Sequence, residues 1–311
     1  MRIEEPTFSI IIPTYRRPDS LRVCVQALRE LDYPRSGFEV IIVDDGGTVP
    51  LQPLLEPFAD SLRMKILWQP NAGPAAARNF GALQATGDLL AFTDDDCTPA
   101  SSWLRAFAAA FSATRTALLG GRTVNALRNN PYAGASQLII DVVYAHYNRH
   151  SSDARFFACN NMAVPADLFR ALSGFNPDFR TSEDRDLCDR WRSSGHGLRY
   201  VSDAVILHAH PLTLRSFWNQ HAGYGRGAWL YHTARANRGA GPFWPDWTFY
   251  NALLCSPFAK GLTRHLLRDV SLLMTAQVAN AVGCFKQALQ ERFSRRRRVA
   301  TPSDRPEQSH P

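Results

Sequence analysis

Three consecutive carboxylates, Asp94, Asp95 and Asp96, follow directly on the apolar run 89–93 in the stretch LLAFTDDDCTP. Adjacent negative charges repel one another unless water, a cation or hydrogen-bond donors offset them. The plain explanation is a solvated turn that caps a helix, since Pro99 and Ala100 suit a helix start. The chemical one is a carboxylate set that holds a hard divalent cation. Two further polar clusters end apolar runs in the same way: Pro13-Thr14-Tyr15-Arg16 after 8–12, and Asp44-Asp45 after 40–43. Glu183-Asp184, in SEDRD, offers a proton acceptor or, more simply, charges that favour a helix N-terminus. His208 and His210, in VILHAHP, are metal ligands when neutral or ordinary packed side chains.

The elements that must position these groups are legible as runs. Residues 8–12, 40–43, 64–67 and 89–93 read as strands, the continuous apolar ones buried on both faces. Asp19 and Ser20 are placed to cap a helix whose stripe is Leu21, Val25, Leu28 and Leu31. Pro74 suits the first turn of a helix reaching about Thr86, and Gly87-Asp88 turns the chain back. This alternation predicts an α/β fold with a mainly parallel central sheet flanked by helices. In such sheets ligands bind outside the carboxyl ends of the strands, which is where the polar clusters fall. Three clusters at three equivalent ends are hard to explain as unrelated turns.

Beyond residue 120 the pattern loosens. Residues 122–155 read as loop-rich, broken at Asn129-Asn130-Pro131, followed by an extended segment at 156–164 and a short helix at 165–172. A helix over 183–192 comes next, then one or two strands in 200–208 interrupted at Ser202-Asp203. Helical patterns dominate to about residue 293.

With 311 residues, 45% hydrophobic and 20% charged, the chain can bury a large core. Six scattered cysteines without a Cys-x-x-Cys pair, and an N-terminus lacking a basic and apolar leader, predict a cytoplasmic protein with free thiols. The net charge of +7 comes without a helix-turn-helix, zinc-finger or RNP-type signature, so a nucleic-acid partner is not expected.

Four segments, FSIIIPTYRRPDSL, EVIIVDDGG, NAGPAAARNFGALQATGDLLAFTDDDCTP and SEDRDLCDRW, together resemble family 2 glycosyltransferases in order and spacing. The likeness covers roughly residues 7–210. It implies a GT-A (Rossmann-like) domain over 1–210; the residues beyond it read as a helical C-terminal region over 211–293 and a basic, disordered tail over 294–311. It also implies an inverting enzyme that moves a hexosyl or deoxyhexosyl unit from a nucleoside-diphosphate sugar to an acceptor hydroxyl. A saccharide or lipid-linked acceptor, and a place in cell-surface polysaccharide or glycolipid synthesis, belong to the same expectation. Rival readings are a sugar-phosphate nucleotidyltransferase and a non-catalytic nucleotide-sugar-binding protein. The first normally shows a Gly- and Arg/Lys-rich loop where this chain has PTYRRPDS, and the second would need no Asp184.

Carried over residue by residue, the resemblance implies that Pro13, Thr14, Tyr15 and Asp44 form the nucleotide floor. Asp94 would face ribose and metal, and Asp96 would bind the metal, Mg2+ or Mn2+. Asp95 lies between a donor-sugar contact and a solvated or backbone-bonded residue. Arg78 would meet phosphate or the Asp cluster. Asp184 would be the catalytic base, with Glu183 positioning the acceptor. His208 is favoured over His210 as a third ligand, although alternation puts both on one strand face. Asp45 is left between a site residue and a turn residue. Gly47 departs from the family, which commonly has Ser there. The Gln-x-x-Arg-Trp motif of processive members is missing, so the enzyme is expected to be non-processive.

The longest uncharged stretch near the C-terminus, 270–285, would span about 24 Å as a helix, short of the roughly 30 Å needed to cross a bilayer. Its stripe of Leu267, Val270, Met274, Val278, Val282, Phe285 and Leu289 leaves two alternatives. It packs on the domain, or it docks on an anionic membrane surface with help from Arg295–Arg298, making the protein peripheral.

Overall fold

The structure, a computed structural model, describes residues 5–241, 244–258 and 265–300. In chain order the strands and helices begin β1 (Phe8–Thr14), α1 (Pro18–Arg29), β2 (Phe38–Asp45), α2 (Gln52–Leu55), β3 (Met64–Gln69), α3 (Pro74–Leu83), β4 (Leu89–Thr93) and β5 (Cys97–Pro99). They continue α4 (Trp103–Ala113), β6 (Leu118–Asn125), α5 (Pro131–Tyr147), β7 (Asn161–Pro165), α6 (Ala166–Ala171), α7 (Glu183–Ser193) and β8 (Leu198–His208). Three helices follow: α8 (Leu214–Arg235), α9 (Trp247–Cys255) and α10 (Leu266–Ala300).

The eight strands form one sheet in the order β3-β2-β1-β4-β7-β6-β8-β5. Every residue of β1, β2 and β4 is buried, because helices cover both faces. Alternation divides them cleanly: Ile10, Ile12, Val40 and Ile42 join the core under α1 and α4, while Ile11, Ile41 and Val43 join the core beside α3 and α7. The half β3-β2-β1-β4 is parallel, as its strand–helix alternation predicts. The other half is mixed, since β7 runs antiparallel to both β4 and β6, and β5 antiparallel to β8.

Four expectations are corrected. Helix α1 begins at Pro18, so Asp19 lies in its first turn, complementing the dipole, and neither Asp19 nor Ser20 caps it. The segment read as loop-rich contains the 17-residue helix α5. Asn129-Asn130-Pro131 starts that helix rather than breaking the chain: the Asn130 side chain accepts from the N–H groups of Tyr132 and Ala133, with proline at the first helical position. The Ser202-Asp203 interruption is a bulge within one strand. On β6, Gly121 and its neighbour Arg122 face Val201 and Val205, so β8 carries three extra residues, Ser202 and Asp203 exposed and Ala204 turned into the core. The backbone is helical to Ala300, seven residues into the expected tail, because Arg is a good helix former; residues 301–311 lie outside the described residues.

Helix α10 packs against α8 at unusually close range. A Cβ on Gly225 would meet the Asn280 carbonyl oxygen at 1.9 Å, and one on Gly283 would meet that of Ala222 at 1.9 Å. These reciprocal glycines let the two backbones touch. Leu272 and Ala276 of α10 join Phe217 of α8 and Ala135 of α5 in a small separate core. The packed alternative therefore holds for α10, but through a face other than the stripe read from the sequence. Leu267, Met274, Val278 and Phe285 of that stripe are exposed. Among the described residues no helix is long and apolar enough to cross a membrane.

Candidate active site

The polar clusters converge at the carboxyl ends of β1, β2 and β4. After β4 the chain turns at once, with the Cys97 N–H donating to the Asp94 carbonyl, and re-enters the sheet as β5. Antiparallel pairing of β5 with β8 sets Cys97 opposite His208, and the Ala209 N–H donates to the Asp96 carbonyl. Sheet register thus delivers the histidines to the aspartates.

Asp96 is the centre of this cluster. Its Oδ1 lies 3.2 Å from His208 Nε2, and its Oδ2 lies 3.1 Å from His210 Nδ1 and 2.7 Å from Arg17 Nη1. Burial alone would push the Asp96 carboxyl up, but hydrogen bonds from both histidines and the Arg17 charge hold it well below the usual carboxylate range. Burial opposes the charged form of His208, yet Asp96 outweighs it and raises the imidazole. Asp96, His208 and His210 offer one ligand atom each, all within 4.8 Å of one another. A carboxylate and two imidazoles suit a divalent cation of intermediate hardness. Of the residues expected to bind metal, Asp96 and His208 lie together with His210, and Asp94 lies outside this group.

Asp94 turns elsewhere. It accepts from Arg78 Nη2 at 2.6 Å, and Arg78 Nη1 donates to Glu183 Oε1 at 2.9 Å. Arg78 is buried, not an exposed helix residue, and it joins the triplet to the acidic pair. The Cys159 thiol also donates to Glu183 Oε1, at 3.5 Å. Glu183 is therefore held within the protein. Asp184, next on α7, is part-exposed and accepts the Arg185 N–H at 2.8 Å. Its enclosure, with the neighbouring Glu183 charge adding to it, pushes its carboxyl up to about 7.

Asp95 turns into the protein. Its side chain is fully buried, accepting from Thr14 Oγ1 at 2.7 Å and Arg17 Nε at 3.2 Å, with Arg17 Nη2 at 2.5 Å from its second oxygen. It is not the solvated carboxylate of the plain alternative: burial pushes it up to about 6 in spite of these partners. Thr14 is likewise spent on Asp95, and Pro13 is buried in β1, whereas the Tyr15 ring is exposed beneath the Arg16 guanidinium.

At the end of β2, Asp44 folds back to accept the Gly47 N–H at 2.7 Å. A Cβ on residue 47 would lie 2.5 Å from that carboxylate, so glycine is what this turn accommodates. Asp45 proves to be a staple. It accepts from Gln69 Nε2 (2.7 Å), Asn71 Nδ2 (3.1 Å) and the N–H groups of Ala72 (2.8 Å) and Gly73 (2.9 Å), fixing the loop that launches α3 and Arg78. Sequence reasoning missed Arg17; the available signal was a second arginine three residues beyond a strand end.

The family model "Glycosyl transferase family 2" matches residues 9–171. The chain is similar to the pre-mycofactocin glycosyltransferase of Mycobacterium tuberculosis, 31% identical over 231 residues that cover 71% of this chain and 46% of the relative. It is also similar to glycosyltransferase AglE of Haloferax volcanii, 28% identical over 207 residues, covering 65% and 67% of the two chains. The matched region is thus about half the length of the mycobacterial relative. Among solved structures the fold is similar to mannosyltransferase PcManGT of Pyrobaculum calidifontis in complex with GDP-Man and Mn2+, with TM-score 0.62 and 18% identity over 96% of this chain and 81% of that one. Residues 1–349 of Staphylococcus aureus TarS give TM-score 0.57 at 16% identity, covering 93% and 91%.

Proposed function

The chain belongs to glycosyl transferase family 2, and on that premise we propose that it is an inverting, metal-dependent glycosyltransferase with a nucleoside-diphosphate sugar donor. The observation that carries the reading is the bridge from Asp94 through Arg78 to Glu183, which ties the carboxylate triplet to the segment bearing Asp184. Asp184, its carboxyl raised to about 7, follows Glu183 at one end of that bridge, and Asp94 at the other end belongs to the same triplet as Asp96 of the histidine cluster. The complexes of PcManGT with GDP-Man and of TarS with UDP-GlcNAc support a nucleotide-sugar donor.

In this reading Asp44 accepts a base N–H and Tyr15 packs on the nucleotide. Asp94 meets the ribose from its place against Arg78. Asp95 keeps a positioning role, anchoring Arg17 beneath Asp96. Asp96, His208 and His210 would hold Mn2+ or Mg2+, which when bound offsets charge growing on the departing diphosphate. Asp184 takes the proton of the acceptor hydroxyl as its oxygen bonds to the anomeric carbon. The bond to the diphosphate oxygen breaks on the opposite face, inverting the configuration. Glu183 acts through Arg78 rather than on the acceptor. The acceptor is a saccharide or a lipid-linked saccharide of cell-surface polysaccharide or glycolipid synthesis, extended non-processively by a hexosyl or deoxyhexosyl unit. We place the enzyme in the cytoplasm, peripheral on the membrane.

The test is metal-dependent release of nucleoside diphosphate from a panel of nucleotide sugars with saccharide acceptors, with the product's anomeric configuration read by NMR. Inverted product that requires metal supports the reading. Retained configuration, or full transfer by Asp184→Asn, would overturn it.

A further inference from the structure

Helix α10 carries two apolar faces, and the fold uses one of them. Leu272, Leu273, Ala276 and Ala279 are buried, whereas Leu267, Met274, Val278 and Phe285 are 84%, 47%, 49% and 65% exposed. At about 100° per residue the exposed four fall within roughly 40° of one line, opposite the buried set. Leu267 and Phe285 are separated by five full turns, about 27 Å along the axis.

The spacing distinguishes what could cover this row. A seven-residue repeat started on Leu267 and Ser271 would place Ala281, Ala288 and Arg292 in the seam, which does not make a coiled coil. The large residues recur instead every eleven positions, as Leu267, Val278 and Leu289, and as Met274 and Phe285. The four exposed residues span eighteen positions, five whole turns, so their row runs straight along the helix. A straight row fits a plane better than a second helix winding around it.

Charge points the same way. Residues 266–300 contain seven basic residues (Arg268, Lys286, Arg292 and Arg295–Arg298) against two acidic ones, Asp269 and Glu291. Arg268, Lys286 and Arg292 are exposed. Two copies brought together here would oppose like charge with like, whereas an anionic headgroup layer attracts it.

We propose that the outward face of α10 docks in the plane of an anionic bilayer, with Leu267, Met274, Val278 and Phe285 entering the headgroup–acyl boundary. The opposite face stays on α8 and ties the docked helix to the catalytic domain. This deepens the peripheral placement above and is independent of the transfer chemistry.

The test is co-sedimentation of the full chain with phosphatidylglycerol–phosphatidylcholine vesicles and with phosphatidylcholine alone, at low and high salt. The wild type is expected to pellet with the anionic vesicles and to weaken about tenfold or more at high salt. The double variant Val278→Glu/Phe285→Glu, at exposed positions, should lose about tenfold or more in partitioning while keeping its melting temperature and nucleoside-diphosphate binding. Equal pelleting of the variant would overturn the assignment of this face and leave the peripheral placement standing. A wild type that stays in the supernatant would overturn both. A wild-type dimer that the variant converts to monomer would make the covering partner a second copy and overturn the lipid.

Discussion

Replacing Arg78 by Met tests the bridge on which the site is built. The substitution keeps most of the side-chain length and removes only the charge and its donors. Arg78 is 4% exposed in its side chain and faces Glu183 at 7% and Asp94 at 26%. Removing one partner of a buried ion pair costs about 3–5 kcal/mol, because the other is left charged and unpaired. Asp94 keeps access to water, so the lower end, about 3 kcal/mol, is expected. At roughly 2–4 °C per kcal/mol this lowers the melting temperature by about 6–12 °C at pH 8. A second substitution separates this mechanism from lost packing. Arg78→Met/Glu183→Gln removes the stranded charge as well and should recover a large part of the deficit, whereas lost packing would leave it unchanged or larger. Calorimetry of both variants at pH 8 is the assay. A deficit of Arg78→Met below about 1 kcal/mol, or no recovery in the double variant, would refute the account of Arg78 as the neutralising charge.

Transfer activity should rise with pH along a limb centred near 7, because Asp184 must be ionised to accept a proton and its carboxyl is raised to about 7; Asp184→Asn should lose about 10²-fold or more and flatten that limb in initial-rate profiles. Calorimetric titration with Mn2+ should show His208→Gln and His210→Gln each losing about tenfold or more in affinity, while Asp94→Asn retains it and loses donor binding instead. Gly283→Ala should destabilise the fold by about 1–3 kcal/mol in urea unfolding, since its Cβ would press on the Ala222 carbonyl of a neighbouring helix.

Legibility followed burial. The runs in β1, β2 and β4 could be read because strands covered on both faces are continuously apolar, so their ends, and the carboxylates there, could be located. The direction of β7 could not, since NMAVP has the same composition whichever way its neighbours run. Helix α5 was hidden because its buried residues are few, Ala133, Ala135 and Val143, among apolar positions that face neighbouring helices only partly. Within the site, residue types placed Asp94 and Asp96 at one end of the sheet, and only the family resemblance joined Asp184 to them. Which partner each one meets depended on register and reach. Arg78 takes Asp94 away from the histidines, and Arg17 claims Asp95, contacts that join positions many residues apart. His208 and His210 were inseparable by alternation, and both proved to meet Asp96.

The bulge in β8 has a consequence for how this family can change. Val201, before it, packs into the same core as Ala204 and Ile206, so an odd-numbered position gives way to even-numbered ones on one face. The extra residues thus reset the parity of the strand, and that reset sends His208 rather than Leu207 toward Asp96. Parity is a property of length, not of residue type. Deleting one residue from the exposed pair Ser202-Asp203 and sliding the downstream strand by one would exchange the faces of Leu207 and His208 with both histidines still encoded. A lineage could therefore lose or recover this cluster through a single-codon indel at the surface, a change that a search for substituted residues would overlook.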